Sequence, residues 1–97
     1  MKTYNKSNQD IERIENIPKG VKGLYLEGNQ ITKIENIPEG VKRLYLWNNQ
    51  ITKIDKRSLE NIRRAKTEVY GVNIDKLEVE KPNVKGKVDK LKERLIG

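Results

Sequence analysis

Apolar and polar positions recur along the first half of the chain with a period of twenty residues. The segment IERIENIPKGVKGLYLEGNQ, residues 11–30, is followed directly by ITKIENIPEGVKRLYLWNNQ, residues 31–50, and fourteen of the twenty positions are identical. A third copy begins with ITKID at Ile51. A fixed period between about 20 and 50 residues is typical of repeat proteins, in which each unit covers the apolar side of its neighbour.

Each repeat predicts a short strand that is followed by a turn. Leu24 and Leu26 alternate with Tyr25, so the two leucines lie on one face of the strand and the tyrosine on the other. Asn29 closes the turn after the strand, and a buried amide there needs hydrogen-bond partners that the neighbouring repeat can supply. In IPKG, Gly20 suits the last position of a type I turn. The strands of successive repeats are therefore expected to pair in parallel.

The repeated unit L-x-L-x-x-N-x-I-x-x-I resembles the leucine-rich repeat family, and the 20-residue period with IP and NQIT is most similar to the short subtype of bacterial effector proteins. The resemblance covers residues 11–55. It implies an α/β repeat solenoid, a short curved stack with a parallel sheet on its concave face. It also implies a module that binds another protein through that face.

The pattern changes after Asp55. The segment DKRSLENIRRAK has its apolar residues at helical spacing, with Asp55 or Ser58 as the expected N-cap. In TEVYGVNIDKL, Val69 then occupies the place of Leu44, and Leu77 is predicted to occupy the place of Ile54. The distance between strands is 25 residues here, and a helix on the convex side accounts for the five extra residues.

The two ends of the stack are expected to be covered, because a bare terminal repeat exposes apolar surface. Residues 1–10 predict a degraded strand that acts as an N-terminal cap, residues 56–80 an irregular helix-strand repeat, and residues 81–97 a C-terminal capping helix of the same single domain. Apolar residues of the last segment step by four, three and four, as on one face of an amphipathic helix: Val84, Val88, Leu91 and Leu95. Its basic face leaves a membrane, nucleic acid or self-association open as alternatives.

Composition argues against an enzyme and against a bound cofactor or metal. The chain has no Cys and no His, which removes thiolates, the usual proton shuttle and the commonest metal ligand. Neither of its two serines lies near a residue that could act as a base. No small-molecule substrate is expected. The polar first residues and the absence of a long apolar run favour a cytoplasmic protein that does not enter a membrane.

The net charge of +7 is concentrated in the second half, where residues 56–97 carry twelve basic and seven acidic side chains. Such a balance favours an acidic partner or nucleic acid, or serves only to keep the chain soluble. For the nucleic-acid alternative, Arg63, Arg64 and Lys66 are the candidate phosphate contacts.

The residues that face away from the core along the predicted strands form the candidate binding site. Two of the six positions that differ between the good repeats, 23/43 and 27/47, lie on this face. Tyr, Trp and Arg are enriched at binding hot spots, although a row of tyrosines can also serve only to stabilise a sheet. The candidate residues are Tyr25, Glu27, Arg43, Tyr45, Trp47 and Tyr70.

The sequence therefore predicts a small, basic, non-enzymatic module for protein–protein interaction, acting as an inhibitor that occludes its partner. The first alternative is a nucleic-acid-associated protein, or an inhibitor that competes with nucleic acid, in which aromatic rings stack on bases. A repeat scaffold without any ligand is the other alternative.

Overall fold

The computed structural model describes residues 2–81 of the 97-residue chain. In this part the chain is a small α/β fold with parallel strands in two sheets and one α-helix, which confirms the predicted α/β class. The predicted C-terminal helix, residues 81–97, lies outside the described residues apart from Lys81. The strands are β1 Thr3–Asn5, β2 Gly23–Tyr25, β3 Lys33–Ile34, β4 Arg43–Tyr45, β5 Lys53–Asp55, β6 Glu68–Tyr70 and β7 Glu78–Glu80, with helix α1 Lys56–Ala65 and a 3-10 helix Ile74–Lys76.

The first sheet has the strand order β1-β2-β4-β6, and all of its pairs are parallel. Leu24 pairs with Leu44 across β2 and β4, as the 20-residue period predicts. Tyr4 pairs with Leu24 in β1, and Val69 pairs with Leu44 in β6. The predicted strand within residues 1–10 and the predicted match of Val69 to Leu44 are therefore confirmed.

A second parallel sheet, with the order β3-β5-β7, joins the segments that lie on the other side of each repeat. Ile34 pairs with Ile54, and Ile54 pairs with Val79. The prediction that Leu77 takes the place of Ile54 is wrong. The 25-residue offset that begins at Val69 is kept through β7, because the 3-10 helix Ile74–Lys76 takes up residues before the strand begins.

The core is a strip of aliphatic side chains between the two sheets. Leu24, Leu26, Leu44 and Leu46 are fully buried, which confirms the predicted inward face of the first sheet. On the opposite side Ile34 is equally buried, and helix α1 adds two residues to the same cluster, Leu59 and Ile62. At the last strand the strip reaches the surface, since Val79 is 44% exposed.

Two asparagines join one repeat to the next, as predicted. The Oδ1 of Asn29 accepts hydrogen bonds from the backbone N–H groups of Gln9 at 2.9 Å and Ile11 at 3.0 Å, while its Nδ2 donates to the carbonyls of Lys6 and Leu26. Asn49 repeats this arrangement one unit later, where its Oδ1 accepts from the N–H of Ile31 at 3.0 Å. These bonds fix the spacing of successive turns.

One local prediction is corrected by the backbone. Gly20 has φ +84°, which is typical of the third residue of a type II turn and not of the last residue of a type I turn. Asp55 is the N-cap of helix α1, one of the two predicted candidates, although its side chain makes no capping hydrogen bond. Ser58 is buried instead, and its Oγ accepts a hydrogen bond from the N–H of Ile37 at 3.1 Å. Its hydroxyl therefore ties the helix to the preceding repeat.

Within residues 2–81, no helix is both long enough and apolar enough to cross a bilayer.

Candidate functional site

The side of the first sheet that faces away from the core carries a continuous group of aromatic rings, which we call the aromatic face: Tyr25, Tyr45, Trp47 and Tyr70. The strand pairing places the three tyrosines at one register position. The ring centroids of Tyr25 and Tyr45 are 4.5 Å apart with planes 4° from parallel, and those of Tyr45 and Tyr70 are 4.9 Å apart at 11°. The sheet therefore sets both the spacing and the orientation of these rings.

This stacking determines which parts of the tyrosines a partner can reach. Both faces of the Tyr45 ring are covered, one by Tyr25 and the other by Tyr70. The ring edges and phenol hydroxyls remain on the outside, and ring edges carry the positive part of the aromatic quadrupole. The row therefore offers hydrogen-bonding hydroxyls and ring edges, and the central ring offers no free face for stacking.

Trp47 is the most accessible member of the aromatic face, with 46% of the residue exposed. Its ring lies 5.9 Å from the centroid of Tyr45 and 5.6 Å from that of Tyr70. Its backbone carbonyl accepts a hydrogen bond from the N–H of Gly28 at 2.9 Å. The indole therefore packs against two neighbouring rings, and the backbone of Trp47 is fixed by its hydrogen bond to the preceding repeat.

The absence of a side chain at Gly71, directly after β6, allows the backbone there to lie close to the backbone of Trp47. A Cβ atom at Gly71 would lie 2.5 Å from the backbone nitrogen of Trp47 and 2.8 Å from the carbonyl carbon of Leu46. Gly71 also has φ +98°, a conformation that favours glycine. Sequence reasoning missed this residue, although a glycine directly after the last predicted strand was a usable signal.

The charged candidate residues on this side of the sheet, Arg43 and Glu27, each have a polar partner. The Nε of Arg43 lies 3.3 Å from a carboxylate oxygen of Glu68, and this hydrogen bond raises the pKa of the guanidinium. Partial burial, followed by the charge of Glu68, raises the pKa of the Tyr70 phenol. Glu27 accepts a hydrogen bond from the hydroxyl of Ser7. Arg43 therefore lies beside the tyrosine row as part of an exposed ion pair.

The predicted phosphate contacts lie elsewhere, on helix α1 and directly after it. Arg63 lies 3.6 Å from a carboxylate oxygen of Asp75, and Arg64 lies 3.8 Å from one of Glu39. Lys66 is the C-cap of the helix in a left-handed conformation. The structure does not bring these three residues together with the aromatic rings, which are carried by the strands of the first sheet.

The change from Gly28 to Asn48 between the two repeats has a backbone explanation. Both residues have positive φ, 73° and 59°. A Cβ atom at Gly28 would lie 1.9 Å from Oδ1 of Asn8, so the side chain of Asn8 leaves no room for one. The left-handed conformation of Asn48 therefore marks it as a turn residue.

Comparison of the chain with protein-family models, with curated proteins and with solved structures gives no match.

Proposed function

We infer that the chain is a short leucine-rich-repeat solenoid that acts in the cytoplasm as a non-enzymatic module for binding another protein. The solenoid assignment is supported by the 20-residue register of both sheets and by the amide bonds of Asn29 and Asn49 between repeats. The binding assignment rests on the aromatic face of the first sheet.

The observation that carries this proposal is the exposure of Trp47. A tryptophan that keeps 46% of its surface in water, while packed on two other rings, is well placed to bury its free surface against a partner. Tryptophan and tyrosine are enriched among residues that dominate binding energy. Because the rings of Tyr45 and Tyr70 pack against the indole, little conformational entropy is lost when it binds.

The expected mode of action is occlusion of the partner. The candidate residues offer an aromatic surface with phenol hydroxyls and an adjacent ion pair, which are groups suited to recognition. A partner seated on this face loses access to whatever else it binds with the same surface. The module thereby acts as an inhibitor.

The nucleic-acid alternative has less support from the geometry. Both faces of Tyr45 are covered, and Arg63 and Arg64 each have an acidic neighbour on a different part of the molecule. Nucleic-acid binding that depends on phosphate contacts weakens steeply with salt. If the chain is retained on single-stranded DNA at low salt and the Trp47→Ala variant is not, this alternative would be favoured over a protein partner.

The direct test is affinity capture from the native host with the whole chain and two variants. We expect Trp47→Ala to lose the captured protein and Arg57→Ala, an exposed residue of helix α1, to retain it. Both variants should keep the far-UV circular dichroism spectrum of the parent chain. Equal capture by all three chains would remove the aromatic face from the proposal, and loss of the spectrum in Trp47→Ala would make Trp47 a structural residue.

A further inference from the structure

A second surface, which shares no residue with the aromatic face, lies at the β1 end of the two sheets. Here a groove of about 450 Å³ opens between strand β1 and the segment that follows it. This volume lies within the range of about 300–1,000 Å³ that is usual for binding pockets. Tyrosine and aliphatic side chains form its apolar part: Tyr4, Ile11, Ile14, Ile17 and Leu26.

The rim of this N-terminal groove is acidic, although the protein as a whole is basic. Asp10, Glu12 and Glu15 line it and are exposed, and none of the three takes part in an ion pair among residues 2–81. Of the two basic residues there, Arg13 is held by the carboxylate of Glu35 at 3.1 Å. The Nζ of Lys6 lies 5.5 Å from the ring centroid of Tyr4. An occupant that combines aliphatic side chains with positive charge complements this groove.

The chain itself contains one segment of this chemistry. Residues 84–95 read VKGKVDKLKERL, with aliphatic residues at positions 84, 88, 91 and 95 and five basic residues against two acidic ones. We propose that this segment of a second copy of the chain occupies the N-terminal groove. The chain then associates head to tail.

The placement of the two partners in the fold favours a second copy over the same chain. The groove lies beside β1, the first strand of its sheet, whereas Lys81 follows β7, the last strand of the other sheet. Lys81 and the groove therefore lie at opposite ends of the succession of strands, which favours the groove of a neighbour as the binding site. A head-to-tail dimer leaves one groove and one segment free, so association is expected to continue beyond a dimer as concentration rises.

Sedimentation velocity of the full-length chain tests the association. We expect the weight-average mass to rise with protein concentration at low salt and to fall when salt is added, because the contact pairs opposite charges. The variant Glu12→Lys/Glu15→Lys should weaken association about tenfold or more. The control Glu39→Lys/Glu60→Lys changes the net charge equally outside the groove and should associate like the parent chain.

A mixing experiment identifies the two partners of the contact. The groove variant Glu12→Lys/Glu15→Lys keeps an intact segment, and the segment variant Leu91→Asp/Leu95→Asp keeps an intact groove. Each should remain monomeric alone, whereas a mixture of the two should form a complex that stops at one copy of each. Circular dichroism establishes that both variants keep the parent fold.

Three results would overturn the proposal. The first is a parent chain that stays monomeric at high concentration and low salt. The second is a groove variant that associates as strongly as its control, and the third is a mixture that contains only monomers. A monomeric parent chain together with a one-to-one complex in the mixture would indicate that the segment occupies the groove of its own chain, because neither variant has both partners of the contact within itself. None of these results bears on capture through Trp47, which is measured separately.

Discussion

At the scale of single residues, Asn29 and Gly71 determine how closely one repeat approaches the next. The side-chain amide of Asn29 is bonded to five backbone groups, and three of those groups belong to the preceding segment around β1. The recurrence of asparagine at positions 29 and 49 made this role predictable. Gly71 was not predictable in the same way, because its role depends on a backbone distance to Trp47 that no residue pattern records.

Replacement of Asn29 is expected to destabilise the fold. Asn29→Ala leaves two N–H groups and the carbonyl of Lys6 without this partner, while the carbonyl of Leu26 keeps a hydrogen bond from Asn49. We expect a loss of about 2–4 kcal/mol in the free energy of unfolding. Asn73→Ala, which removes only the bond to the N–H of Asp75 on an exposed turn, should cost about 1 kcal/mol or less. Urea denaturation measures both, and equal costs would contradict the role of Asn29 between repeats.

Replacement of Gly71 by alanine is expected to be more costly than the same change at Gly20. Both glycines have positive φ, which costs an alanine about 1–2 kcal/mol. At Gly71 the added Cβ also meets the backbone of Trp47 at 2.5 Å, whereas at Gly20 the nearest atom is the Cδ of Lys2 at 3.9 Å. We expect a loss of about 3 kcal/mol or more for Gly71→Ala. Similar urea midpoints for the two variants would show that the close approach at Gly71 is unimportant.

At the scale of elements, the tyrosine row contributes to stability in proportion to the number of stacked neighbours. Tyr45 stacks on two rings and Tyr25 on one. A stacked aromatic pair contributes about 0.5–1.5 kcal/mol beyond its buried area. Tyr45→Leu should therefore lose more stability than Tyr25→Leu by about that amount. A thermal or urea denaturation series that ranks the two variants in the reverse order would contradict the stacking geometry.

The second sheet is predicted to lose stability in acid. Glu80 of β7 is paired with Lys33 of β3 and with Lys53 of β5. The pKa of the Glu80 carboxyl is lowered, and the largest cause is the hydrogen bond from Lys33. The resulting stabilisation is present above the ordinary carboxyl pKa of about 4.3 and is lost as pH falls through the lowered value. Glu80→Gln removes this carboxyl. The free energy of unfolding of the variant should therefore fall less steeply between about pH 5 and pH 3 than that of the parent chain.

The control for this acid effect is Glu60→Gln, which removes an exposed carboxyl of helix α1 that forms no ion pair among residues 2–81. Its unfolding free energy should follow the parent chain through the same pH range. If Glu80→Gln and Glu60→Gln give the same pH profile, the pairing of Glu80 makes no difference to stability.

The elements that follow the 20-residue period were predictable, and those that depart from it were not. The period aligned β2 with β4, and the match of Val69 to Leu44 aligned β6. The second sheet was harder to predict from the sequence, because β3 has only two residues and therefore shows no alternating pattern. Leu77 was misplaced because the apolar spacing alone gave no sign of the 3-10 helix Ile74–Lys76.

At the scale of the whole molecule, the chain presents two surfaces of different character. The aromatic face is a row of stacked rings beside the paired Arg43, while the N-terminal groove is apolar with an acidic rim. The net charge of +7 is therefore a poor guide to either surface. Sequence reasoning located the aromatic face through the contrast between Glu27 and Trp47, but the groove depends on the space between β1 and the following segment.

The accessibility of Trp47 is the measurement that tests the central claim most directly, because it is the only tryptophan of the chain. Its fluorescence can be recorded with iodide and acrylamide as quenchers, first for the chain alone and then with the captured partner. We predict a solvent-exposed emission that both quenchers reach in the free chain and that becomes protected in the complex. An indole that is shielded in the free chain, or that stays equally accessible in the complex, would contradict the assignment of the aromatic face as the binding surface.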